Sequence, residues 1–129
     1  MNVSLSRVIL YVQDVRRLAA FYRDAFGLPV AEEIEGEWVV LRAGACDLAL
    51  HRVGAPYRVA DASSWKVATN AKLVLTVDRD LEELRRELTA KGVVMRPIKS
   101  FPPLTGRLCD GEDPEGNVFQ LAEKPRAAR

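Results

Sequence analysis

Residues 6–14 read SRVILYVQD and residues 71–80 read AKLVLTVDRD. Each stretch has a basic residue, an apolar run closing on valine, and an acidic residue ahead of a helix-like segment. Arg7 to Val12 matches Lys72 to Val77 position by position: basic, apolar, apolar, Leu, Tyr or Thr, Val. The same offset carries Gly27 onto Gly92. A repeat of this kind restricts the chain to two copies of one supersecondary unit, and that constraint outranks any local propensity.

Within each copy a helix follows the first strand. In the first, Asp14 is the expected N-cap, Val15, Leu18, Tyr22 and Phe26 recur at helical spacing, and Gly27 ends the helix. In the second, Asp80 and Glu83 form a capping-box pair and Leu81, Leu84 and Leu88 make the apolar stripe. Glu87 and Lys91 are spaced for an i,i+4 ion pair, and Gly92 ends the helix. Strands are expected at 30–34, 38–42 and 47–53 in the first copy, and at 93–98, 106–109 and 118–123 in the second. Asp113-Pro114-Glu115-Gly116-Asn117 reads as a turn. The expected fold is α+β: two βαβββ repeats, each a curved mixed sheet with one helix packed on it. One domain over 1–124 is expected, with repeats at 3–53 and 71–124, a connector at 54–70 and a frayed tail at 125–129.

Composition narrows the function classes. The chain has 129 residues, 48% hydrophobic and 29% charged, with a net charge of +1. Such a balance, without a basic run, gives no footprint for nucleic acid. The longest early apolar stretch, Val8 to Val12, is too short for a signal segment or a membrane span. A cytoplasmic protein is the expectation. Cys46 and Cys109 lack C-x-x-C spacing and read as two buried thiols.

The doubled βαβββ pattern, Val12-Gln13-Asp14 closing the first strand, Phe21-Tyr22 and Gly27-Leu28 on and after the helix, and the Asp113–Asn117 turn together resemble the vicinal oxygen chelate superfamily. That group includes glyoxalase I, extradiol dioxygenases and bleomycin-resistance proteins. The resemblance implies a concave binding surface and spans lyases, isomerases, dioxygenases and non-catalytic drug binders, so it speaks to fold more than to chemistry. It implies metal ligands at four positions, which here fall on Arg7, Ala49, Lys72 and Gln120. Only Gln120 offers a donor. A unit charge about 4 Å from a divalent ion at an effective dielectric near 20 is repelled by about 8 kcal/mol, so two cost about 16. A structural zinc site gains about 10 to 16 kcal/mol in all. No metal and no cofactor is therefore expected.

Strand alternation puts Arg7, Ile9 and Tyr11 on one face together with Asp47, Ala49 and His51, and Lys72, Val74 and Thr76 on the matching face of the second sheet. Arg7 and Lys72 either bind an anionic group or pair with Asp47 or another carboxylate. His51, the only histidine, is either a general base or a solvated side chain. Trp38 and Trp65 either stack on a flat ligand or pack at a sheet end or subunit interface. The candidate ligand-binding residues are Arg7, Tyr11, Trp38, Asp47, His51, Trp65, Lys72 and Gln120, with Ile9, Val74 and Val118 as apolar wall. The expected function is metal-free binding and sequestration of an aromatic or anionic small molecule by a homodimer, without nucleic-acid or membrane partners. The alternatives are a glyoxalase-like lyase, isomerase or dioxygenase with an atypical or absent metal site, or a metal-independent catalyst using His51 or Tyr11. A partner-binding or regulatory module that kept the fold and lost the chemistry is the third.

Overall fold

The structure is a computed structural model and describes residues 1–103 and 106–124. The expected tail at 125–129 lies outside the described residues. The elements run β1 (Arg7–Val12), α1 (Val15–Phe26), β2 (Val30–Ile34), β3 (Trp38–Ala43), β4 (Cys46–Arg52), a 3₁₀ turn (Ala55–Tyr57), β5 (Lys72–Val77), α2 (Leu81–Ala90), β6 (Val94–Met95), β7 (Leu108–Glu112) and β8 (Val118–Glu123). They form two four-stranded sheets, ordered β1-β4-β3-β2 and β5-β8-β7-β6. In each, the first strand pairs parallel with the last and the remaining pairs are antiparallel. The doubled βαβββ architecture is present.

The chain divides into two compact units, Met1–Trp65 and Lys66–Arg129. In the first, α1 packs on β3 and β4. Asp14 caps it by accepting from the Arg17 N–H, and Gly27 closes it at φ 68°, where its N–H reaches the Arg23 carbonyl. Val15, Leu18, Ala19 and Tyr22 are buried against Val39, Leu41, Leu48 and Leu50 of the sheet. Each fully buried large side chain contributes about 1.5 to 3 kcal/mol. Gln13 ties down the segment after β4: its Nε2 donates to the Tyr57 carbonyl and its Oε1 accepts from the Val59 N–H.

In the second unit, α2 packs on β6 and β8 through Leu81, Leu84 and Leu88. Asp80 caps it by accepting from the N–H groups of Glu82 and Glu83. The expected Glu87–Lys91 pair is replaced: Glu87 takes both guanidinium nitrogens of Arg79 at 2.7 and 2.8 Å. A bidentate, planar fork outcompetes a flexible ammonium. The Asp113–Asn117 turn is largely buried and organised around Asp113. Asp113 accepts from the backbone N–H groups of Glu115 and Asn117 and from Asn117 Nδ2, each at 2.9 Å. The segment Lys66–Val67 is strapped to it through Lys66 Nζ to the Pro114 carbonyl and the Val67 N–H to the Glu115 carbonyl.

Two strands differ from expectation. The run 93–98 pairs only over Val94–Met95, with an isolated bridge between Lys99 and Leu108 beyond it. Pro97 has no N–H for the ladder. The strand expected at 106–109 runs instead over Leu108–Glu112. Gly111 lies within that strand for space: an added Cβ would sit 2.4 Å from the Phe119 ring and 2.6 Å from Met95 Sδ.

Candidate functional site

Three rungs cross the first sheet on the side turned away from α1: Tyr11–His51–Trp38–Ile34, then Ile9–Ala49–Val40–Glu32, then Arg7–Asp47–Arg42. Strand alternation alone places these side chains together, because residues directly opposite in a ladder share a face. The first rung is an aromatic row. The Tyr11 and His51 rings lie 5.2 Å apart, and Trp38 meets His51 edge-on at 5.6 Å. Tyr11 and His51 are exposed, and Trp38 is half-buried.

Arg7, on the third rung, reaches toward both of the others. It starts beside Asp47, yet its guanidinium carbon lies 5.6 Å from the centroid of the Trp38 ring, so the side chain crosses above Ala49 and Val40, both fully buried. A cation over an indole face is favourable by about 0.5 to 1 kcal/mol at an exposed site. Its Nη2 is 3.6 Å from Asp47 and 3.9 Å from Glu32, both beyond hydrogen-bond reach, and the side chain is 35% exposed. Asp47 is held more closely by Arg42 Nη1, at 3.2 and 3.3 Å to its two oxygens. Arg7 is thus a fixed cation whose N–H groups are incompletely used.

The corresponding face of the second sheet is built differently. Asp110, opposite Gln120 and diagonal to Lys72, accepts from Lys72 Nζ at 2.7 Å and from Gln120 Nε2 at 3.0 Å. Arg96 stands 4.0 Å from Asp110 and 3.9 Å from Glu112. Burial pushes the Asp110 carboxyl up, but the hydrogen bonds from Lys72 and Gln120 and the charges of Lys72 and Arg96 outweigh it and hold the group below its usual range. Lys72 is therefore committed to a carboxylate at close range. Of the two repeat-leading cations, Arg7 is the less closely paired.

The first sheet brings together Arg7, Tyr11, Trp38, Asp47 and His51, while Lys72 and Gln120 meet in the second through Asp110. Trp65 ends the first unit, half-buried, its N–H bonded to the Ala62 carbonyl. Of the apolar wall residues, Ile9 and Val74 are exposed and Val118 is half-buried. Four participants escaped sequence reasoning: Glu32, Arg42, Asp110 and Arg96. For Arg42 and Asp110 the signal was position opposite Asp47 and Gln120 in the ladder, which needs the register and not the residue type; Glu32, opposite Val40, and Arg96, beyond β6, had no such signal.

The positions implied for metal ligands carry a guanidinium, a buried methyl, an ammonium and one amide already donating to Asp110. That donor set does not fit a divalent ion. Among the described residues no group of three or more His, Cys, Asp or Glu side chains is placed to hold one. Nor, among them, is any helix long and apolar enough to cross a membrane.

The family model for the Glyoxalase/Bleomycin resistance protein/Dioxygenase superfamily matches residues 4–121. The chain belongs to this superfamily. A comparison with curated proteins finds no match. Among solved structures, this glyoxalase-superfamily chain is similar to a lactoylglutathione lyase from Agrobacterium tumefaciens, with TM-score 0.73, 20% identity, and 95% of this chain and 94% of that chain covered. It is also similar to a fosfomycin resistance protein from Listeria monocytogenes, in a mutant form complexed with Mn(II) and 1S,2S-dihydroxypropylphosphonic acid. There the TM-score is 0.74 at 18% identity, covering 95% of this chain and 90% of that one. A glyoxalase-related enzyme from Fulvimarina pelagi matches with TM-score 0.69 and 21% identity, covering 97% and 93%. Identities at this level carry the fold alone.

Proposed function

We propose that this superfamily member binds an aromatic or anionic small molecule without a metal and acts by sequestering it, on the face of the first sheet that carries Arg7 and the aromatic row. One observation carries the reading. Arg7 is fixed over Trp38, beside His51 and Tyr11, with guanidinium N–H groups beyond hydrogen-bond reach of either neighbouring carboxylate. A flat molecule gains stacking on the aromatic row, and a negative group on it gains a charge-assisted hydrogen bond. The chemistry at the four implied ligand positions supports a metal-free mode. The test is native mass spectrometry of freshly purified protein, followed by a screen of aromatic acids read by tryptophan fluorescence. Stoichiometric capture of a small molecule, returned chemically unchanged, is the expected result. Conversion of that molecule to product would replace sequestration with catalysis.

We also infer a homodimer. Strand β2 is an edge strand with every residue exposed, including the apolar Val30 and Ile34, and an unpaired edge with apolar side chains favours association. Light scattering at micromolar concentration gives twice the chain mass on this reading; a stable 14.3 kDa species refutes it.

A further inference from the structure

The open face of the first sheet holds one carboxylate in an unusual place. Glu32, on edge strand β2, reaches toward Arg7 across the sheet and accepts from its own neighbour Trp38. Its Oε2 takes the Trp38 indole N–H at 3.3 Å, and its Oε1 faces Arg7 Nη2 at 3.9 Å. The two oxygens of a single carboxylate thus address the two donors that an acid stacked on the aromatic row would need. We propose that Arg7 and the Trp38 indole N–H form a carboxylate subsite filled by Glu32 in the ligand-free chain, and that a planar monocarboxylic acid binds by displacing Glu32. This rests on the small-molecule reading above and names its ligand class.

Charge and exposure favour exchange over permanence. Arg7 and Arg42 face Asp47 and Glu32, so the local cluster is balanced. A monocarboxylate replacing Glu32 keeps that balance. A phosphate dianion would leave an excess negative charge beside Asp47, whose side chain is only 15% exposed. Glu32 is easily displaced: its side chain is 59% exposed, and its ion pair to Arg7 is longer than a hydrogen bond. An exposed pair of this kind shifts an equilibrium by about fivefold at most. The incoming acid regains both donors and adds the area of its ring against Trp38 and His51. Asp47 cannot play the same part, because Arg42 already engages both its oxygens.

The experiment is calorimetric titration of wild type, Glu32→Ala and Glu32→Gln with 2-naphthoate, 2-naphthamide and 2-naphthyl phosphate at one ionic strength. Removing the internal competitor is expected to tighten 2-naphthoate by about twofold to fivefold in Glu32→Ala, with a smaller gain in Glu32→Gln. The uncharged 2-naphthamide is expected to change by less than about twofold, well inside that exposed-pair effect. On wild type, 2-naphthyl phosphate binds more weakly than 2-naphthoate, and the gap narrows in Glu32→Ala. A second readout needs no affinity: the Trp38 indole N–H resonance, identified by its loss in Trp38→Phe, moves in Glu32→Ala and returns toward its wild-type position when 2-naphthoate binds. An unchanged or weaker 2-naphthoate affinity in Glu32→Ala overturns the subsite. If the naphthyl probes bind but ignore both charge and Glu32, the carboxylate subsite falls while small-molecule binding on this face stands. If none of the three binds wild type or variant, both fall.

Discussion

Replacing Arg7 and Lys72 by alanine in parallel separates a ligand-facing cation from a structural one. Lys72 lies 2.7 Å from Asp110, whose side chain is only 20% exposed. Without the ammonium, that carboxylate keeps Gln120 at 3.0 Å and Arg96 at 4.0 Å. Depriving a mostly buried charged group of its main partner costs about 1 to 3 kcal/mol. For a domain of this size each kcal/mol lowers Tm by about 3 to 6 °C. Arg7 has less to lose. Its two ion pairs at 3.6 and 3.9 Å are partly exposed, which places them at about 0 to 1 kcal/mol together with a cation–π contact of about 0.5 to 1. Its role in holding an aromatic acid is larger: a hydrogen bond to a charged group contributes about 1.5 to 3 kcal/mol, a loss of roughly tenfold to a hundredfold in affinity. Arg7→Ala is therefore expected to weaken 2-naphthoate strongly and melt a few degrees early. Lys72→Ala is expected to melt earlier still and bind almost normally. Differential scanning fluorimetry and calorimetric titration read the two effects independently. The reverse pattern, with affinity following Lys72 and stability following Arg7, refutes the assignment.

Acid should remove the Asp110 contribution in a defined window. Its folded carboxyl is held below the usual range, so the unfolded chain takes up a proton first as pH falls. The contribution is complete above about pH 5 and drains away through the unfolded value near 3.9 and below it, toward the folded value. Urea midpoints at pH 7 and pH 3 should fall further for wild type than for Asp110→Asn, and equal falls would reject the linkage. Gly111→Ala forces a methyl against Phe119 and Met95, and overpacking of that kind costs about 1 to 3 kcal/mol, visible as a lower urea midpoint. A wild-type midpoint in that variant would mean β7 has room that the packing denies. Elemental analysis of untagged, dialysed protein should find no stoichiometric zinc, nickel, iron or manganese. One such ion per chain would show that a donor set other than Arg7, Ala49, Lys72 and Gln120 is in use.

The fold was legible because its signals are local and repeated. Two strand openings, two capped amphipathic helices and a Pro-Gly turn each specify their own geometry, and the repeat makes each copy a check on the other. The errors fall where meaning is non-local. The strand expected to end at Cys109 continues through Gly111, whose Cβ space the Phe119 ring occupies. Glu87 looks paired with Lys91 until Arg79, ahead of α2, folds back onto it. The site shows the same division. Alternation placed Arg7, Tyr11, Asp47 and His51 on one face, and the register found in the ladder agrees residue by residue. Alternation could not say which cation would be loose, since Arg7 and Lys72 are equivalent in sequence. That difference comes from β3 and β7: opposite Ala49 stands Val40, whereas opposite Gln120 stands Asp110. Because Val40 offers no carboxylate at the centre of its sheet, Arg7 extends past it to Trp38 and Glu32, while Lys72 stops at Asp110. One residue across a ladder thus separates a cation paired at close range from one without a close carboxylate, so Val40→Asp should draw Arg7 back from Trp38 and weaken aromatic acids without replacing any residue that contacts them.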